Sequence, residues 1–112
     1  MLGVKDMEDT RQCRYEITEG CLRIAVPHEL DHHCARQLQQ EADQLIEMYH
    51  VHKLIFDFKE TEFMDSSGIG VLIGRSKNMQ FSGGSVSAAH LNARVEKIFR
   101  MSGLKHLIQI EE

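Results

Sequence analysis

Apolar residues fall into two alternating runs at the start of this chain and then into helical spacings separated by short apolar stretches. Over residues 13–18 Tyr15 and Ile17 alternate with polar neighbours, and over 21–26 Leu22, Ile24 and Val26 do the same. Glu19-Gly20 supplies a turn between them, so the pattern predicts a β-hairpin, closed at its far end by Pro27. Over 31–49 Ala35, Leu38, Ala42, Leu45 and Tyr49 recur at helical spacing, which predicts an amphipathic helix with one face for a sheet. Residues 53–58 contain Leu54-Ile55-Phe56 and Phe58, with Asp57 the one interruption. Such a run is expected of a central parallel strand covered on both faces.

A second helix is predicted over 67–79, where Ile69, Leu72, Ile73, Ser76 and Met79 share a face. Gly68, Gly70 and Gly74 cost that helix about 1 kcal/mol each in propensity, which predicts close approach of its backbone to a neighbour. Ser82-Gly83-Gly84 reads as a turn, Ser85–Ala89 as a small-residue strand, 93–101 as a third helix with Val95, Ile98 and Phe99 inward, and 104–110 as a last strand. The order ββαβαβαβ predicts an α/β fold: a mixed, mainly parallel sheet opened by an antiparallel hairpin, with helices packed on it. Residues 1–112 make a single domain with its core over about 13–110.

Composition narrows the classes. Hydrophobic content of 42% and charged content of 27% are ordinary for a globular domain, and a net charge of −4 without a basic stripe argues against a nucleic-acid or anionic-membrane surface. The three cysteines, Cys13, Cys21 and Cys34, are odd in number and include no C-x-x-C pair. Neither a disulfide framework nor a thiolate metal site is expected, which fits a reducing cytoplasm. No run reaches the roughly 18 apolar residues of a membrane span, and residues 1–10 lack the apolar core of a signal peptide.

The candidate chemistry begins at Asp65-Ser66-Ser67-Gly68, between an apolar strand and a helix. Hydroxyls at a helix start can cap orphan N–H groups, and the positive end of the helix favours an anion there. Working surfaces of such sheets lie beyond the carboxyl ends of the strands, where Ser66 falls. The turn Glu29-Leu30-Asp31-His32-His33 is expected at the same end, so two distant segments would form one face. His28-Glu29-Leu30-Asp31-His32 matches the zinc pattern H-E-x-x-H, in which His28 and His32 would bind metal and Glu29 act as base. That motif needs a continuous helix, which Pro27 and the strand before it contradict. A hydrolase with Ser66 as nucleophile lacks the G-x-S-x-G elbow, and the glycines after Ser67 form no phosphate loop. Met64, beside the serines, is expected to present an apolar side chain to a partner protein.

Three segments carry a family resemblance: Glu29-Leu30-Asp31-His32-His33, the run from Phe63-Met64-Asp65-Ser66-Ser67-Gly68 through Ile69-Gly70-Val71-Leu72-Ile73-Gly74-Arg75, and Phe99-Arg100-Met101-Ser102-Gly103-Leu104. On these residues the chain resembles the STAS-domain anti-sigma-factor antagonists, most of all those of the anti-sigma-F type in endospore-forming bacteria. The resemblance implies a STAS fold and a cytoplasmic regulator that is not an enzyme and carries no cofactor or metal. Its implied partners are an anti-sigma factor serine kinase, which brings ATP and Mg²⁺, and a serine phosphatase. It implies phosphorylation of Ser66, with the unphosphorylated form binding the kinase and releasing a sigma factor. Asp31 is then expected to help dock the kinase, and Asp65, Ser67 and Gly68 to shape the phosphorylation turn, Ser67 as its cap. Control of sporulation is the expected setting, with a general stress-response cascade the alternative within the fold and a small hydrolase the alternative outside it. Three positions depart from the family: His28 stands where Gly is usual, Ser85–Ala89 is smaller and more polar than its counterpart, and the chain ends at Glu112 where relatives usually continue into a helix.

Overall fold

The computed structural model describes residues 12–111. The expectation drawn from residues 1–10 lies outside them. Strands β1 (Arg14–Thr18) and β2 (Cys21–Ala25) form the hairpin, with Glu19 and Gly20 both at positive φ in its turn. A two-residue strand β3 (Glu29–Leu30) precedes helix α1 (His32–Met48), and β4 (Lys53–Asp57) follows. A second two-residue strand, β5 (Phe63–Met64), precedes α2 (Ser66–Phe81). Then come β6 (Ser85–Ala89), α3 (Ala93–Ser102), a 3-10 turn (Leu104–His106) and β7 (Gln109–Ile110).

The main sheet has the order β1-β2-β4-β6-β7, with β1 antiparallel and the other pairings parallel. The mixed, mainly parallel α/β sheet expected from the element order is the one observed. Leu22 and Ile24 of β2, Leu54 and Phe56 of β4, and Val86 and Ala88 of β6 point to one face and form one core with Ala35, Leu38 and Ala42 of α1, Leu72 and Met79 of α2, and Val95 and Phe99 of α3. Ile55 is buried on the opposite face, apart from that cluster. Phe99 meets Phe58 edge-on, with ring centroids 5.4 Å apart, which locks α3 over the end of β4. Tyr15 donates to Glu41 Oε1 at 2.6 Å and ties the hairpin to α1. None of the described cysteines forms a disulfide, and burial pushes the Cys13 thiol up to about 12, so it is inert near neutral pH.

Four expectations are corrected. The segment 104–110 is not one strand: Gly103, at φ +83, ends α3 in the left-handed region and the chain turns through a 3-10 helix before the short β7. Leu104 and Ile108 are fully buried while His106 between them, which a strand would put on the same face, is exposed. The element order also gains β3 and β5, which pair with each other in a separate two-stranded sheet. Tyr49 is not an inward helix position but the residue that ends α1, half exposed. Of the three helical glycines, only Gly68 serves close packing: a Cβ there would lie 2.5 Å from the Leu30 carbonyl oxygen, whereas Gly70 and Gly74 have nothing within 4 Å.

Candidate functional site

The site is built by the small parallel sheet. Glu29 pairs with Phe63 and Leu30 with Met64, and the Asp65 N–H donates to the Leu30 carbonyl at 3.3 Å. Both strands run directly into helices, so the register sets the first turns of α1 and α2 side by side. Each turn is closed in the same way. Asp31 Oδ1 accepts the Cys34 N–H at 3.0 Å, and Asp65 Oδ1 accepts the Gly68 N–H at 3.0 Å. Both aspartates hold extended backbone, with ψ −174° in each, as N-cap residues do. The bond from the Cys34 N–H holds the Asp31 carboxyl below its usual range. The turns Glu29–Asp31 and Phe63–Ser67 therefore do form one face, as the sequence suggested.

Ser66 occupies the first position of α2 and is exposed, and among the described residues no group hydrogen-bonds its hydroxyl. Ser67, half-buried, turns toward α1, where its Oγ lies 3.2 Å from His32 Nδ1. The expectation of Ser67 as the cap is corrected, because Asp65 fills that role and leaves the Ser67 hydroxyl to His32. Met64 is corrected as well. Its side chain is 4% exposed and belongs to the core, while Phe63, one residue earlier on the pleat, is 49% exposed. The exposed apolar side chain beside the serines is Phe63. Gly68 sits against Leu30, so it shapes the turn by letting β3 and α2 touch.

Behind the face, Thr61 is fully buried, donates from Oγ1 to the Val26 carbonyl at 3.1 Å, and offers its own carbonyl to Asn92 Nδ2 at 2.8 Å. Asn92 also caps α3 through the Val95 N–H. These two residues pin the loop before β5, and the sequence reading passed over both. Asn92 was legible as a polar cap one residue before a helical period; Thr61 had no signal. Glu62 pairs with Arg94 at 3.0 Å, and Asp31 and Asp65 accept backbone N–H groups.

The zinc reading does not survive the geometry. Glu29 and Leu30 are in a strand, which sends them to opposite sides, and the helix begins only at His32. Among the described residues no group of three His, Cys, Asp or Glu side chains is placed to hold a metal. A serine-nucleophile arrangement is also incomplete, since His32 meets Ser67 and not Ser66, and the neighbouring Asp31 carboxylate is engaged at the α1 cap.

Residues 12–112 match the STAS domain model. The chain is 32% identical over 99 residues to the anti-sigma F factor antagonist of Paenibacillus polymyxa, covering 88% of this chain and 85% of that protein. This chain belongs to the STAS-domain family of anti-sigma-factor antagonists. The anti-sigma-B factor antagonist of Bacillus subtilis (strain 168) is 30% identical over 92 residues, covering 82% of the STAS chain and 83% of its own. Among solved structures, the antagonist SpoIIAA in its unphosphorylated form matches with a TM-score of 0.74 at 25% identity, covering 89% of this chain and 87% of that one. The Bacillus SpoIIAA in the phosphorylated form matches with a TM-score of 0.73 at 28% identity, covering 89% and 91%. No helix among the described residues of this STAS domain is long and apolar enough to cross a membrane.

Proposed function

We propose that this STAS domain is a cytoplasmic, non-enzymatic anti-sigma factor antagonist, switched off by phosphorylation at Ser66. Unphosphorylated, it binds an anti-sigma factor that is also its serine kinase and so frees a sigma factor; a serine phosphatase restores it. The observation that carries this reading is the placement of Ser66: exposed, at the first position of a capped helix, with a hydroxyl the fold does not use. Asp65 already closes the helix, so a phosphate on Ser66 displaces no structural bond. It would carry a charge of about −1.5 to −2 and gain roughly 0.3–2 kcal/mol from the helix terminus. The fold tolerates the modification and the partner does not: a penalty of about 3 kcal/mol at the contact weakens binding more than a hundredfold.

Sporulation is the proposed setting, supported by the F-type relatives of Paenibacillus polymyxa and Lysinibacillus sphaericus. The B-type relative at 30% identity supports a stress-response cascade as the second reading. Incubation with the cognate kinase and ATP, read by intact mass, is expected to add one phosphate to wild type and none to Ser66→Ala. Equal labelling of the two would move the site elsewhere, and binding by an F-type but not a B-type anti-sigma factor separates the two settings.

A further inference from the structure

Between α1 and α2 a groove runs back from the serine turn, lined by His32, Arg36, Ser67, Gly70, Gly74 and Arg75 among others, with no carboxylate among its described lining residues. Gly70 and Gly74 stand one turn apart on α2, and a Cβ at either would meet nothing. No internal contact asks for glycine there, and alanine would favour the helix. The chain keeps two bare backbone positions on an open helix face.

Arg75 gives a second, independent sign of an absent occupant. Its side chain is 8% exposed, and its Nε stands 3.2 Å from Asp43 Oδ1 without hydrogen-bond alignment. Its Nη1 is buried with no acceptor among the described residues. A guanidinium donor left unsatisfied in the seam between two helices is costly, and a carboxylate delivered into the groove would relieve it. Arg36, exposed on α1, and His32 at the mouth add to the attraction.

We propose that this groove is the seat for a helix of the anti-sigma factor, which approaches closely over Gly70 and Gly74 and presents a carboxylate to Arg75 and Arg36. The inference rests on the antagonist reading and adds the chemistry of its contact. Ser67 lines the same groove, so the seat and the phosphorylation turn are continuous. A dianion on Ser66, next to the lining residue Ser67, would then stand beside a site that receives a negative side chain, which gives the switch a sign as well as a bulk.

Unphosphorylated wild type, the Gly70→Ala/Gly74→Ala double variant and Arg36→Glu can be compared against the cognate anti-sigma factor by titration calorimetry. The double variant is expected to melt higher, by roughly 4 °C or more, and to bind at least tenfold more weakly. Arg36→Glu is expected to keep its Tm and lose at least tenfold in affinity. If both variants bind like wild type, the seat is overturned while the antagonist reading stands. If wild type itself fails to bind the factor, both fall together.

Discussion

Asp31 and Asp65 act alike at two neighbouring helix starts, each accepting the N–H three residues on at 3.0 Å. Replacing Asp65 with Ala is expected to lower stability by about 1 kcal/mol and replacing Asp31 to lower it as well, each read as the denaturant midpoint at unchanged m-value. For Asp31 this changes what a binding defect would mean. Its carboxylate shapes the face that it also borders, so a docking assay with Asp31→Ala needs Asp31→Asn beside it, which keeps a capping oxygen and removes the charge. Restored binding in Asp31→Asn marks a structural role; loss in both marks a charged contact. The tetrapeptide Asp65-Ser66-Ser67-Gly68 was legible in the sequence as a helix start, but which of its members caps was not. Ser and Asp are near-equal caps, and the choice follows from where β5 ends. Met64 departs from expectation for a related reason. In a strand of two residues parity decides everything, and Leu30 in and Glu29 out repeat as Met64 in and Phe63 out.

At the scale of elements, α1, α2 and α3 begin within one residue of the periods read from the chain and end within two, because long amphipathic periods with polar caps are strong signals. β3 and β5 left no such signal, since two residues cannot show a period. The 3-10 turn after Gly103 reads as strand from sequence because Leu104, Leu107, Ile108 and Ile110 are apolar enough for either. Gly68 holds the two helix starts together and offers a sharp test. Gly68→Ala would set a Cβ 2.5 Å from a backbone oxygen, so β3 must move away from α2. A loss of about 1–3 kcal/mol is expected by thermal or chemical denaturation, opposite in sign to the effect of alanine at Gly70 or Gly74. Equal effects at all three positions would mean that helix propensity, and not contact with Leu30, governs this helix.

Across the whole molecule the strand ends are gathered by Asp57. Its carboxylate accepts Arg23 Nη2 at 3.0 Å and the Lys59 N–H at 3.0 Å, and it lies 3.0 Å from His90 Nδ1, so it joins β2, β4 and the exit of β6. Burial pushes its pKa up, but His90, the Lys59 N–H and Arg23 together outweigh burial and hold it below the usual range. A carboxyl lowered in the folded state stabilises above its unfolded pKa, about 3.9, and that contribution is lost as pH falls through the lower folded value. Asp57→Asn is therefore expected to be less stable than wild type at neutral pH and to lose less on going to pH ~3, followed by urea midpoints across that range. Parallel slopes would show that other carboxylates set the acid limit. In sequence Asp57 is only an interruption of an apolar run; its partners Arg23 and His90 lie 34 and 33 residues away and cannot be read from spacing.

Two chemically identical hydroxyls, Ser66 and Ser67, stand next to each other on α2, yet only one is presented outward. Met64 anchored in the core and Gly68 pressed on Leu30 fix the rotation of the helix, and each residue advances about 100° around its axis. Ser66 is thereby turned to solvent and Ser67 toward His32. Under the proposed switch, an enzyme approaching this turn would distinguish the two by bearing, not by reactivity.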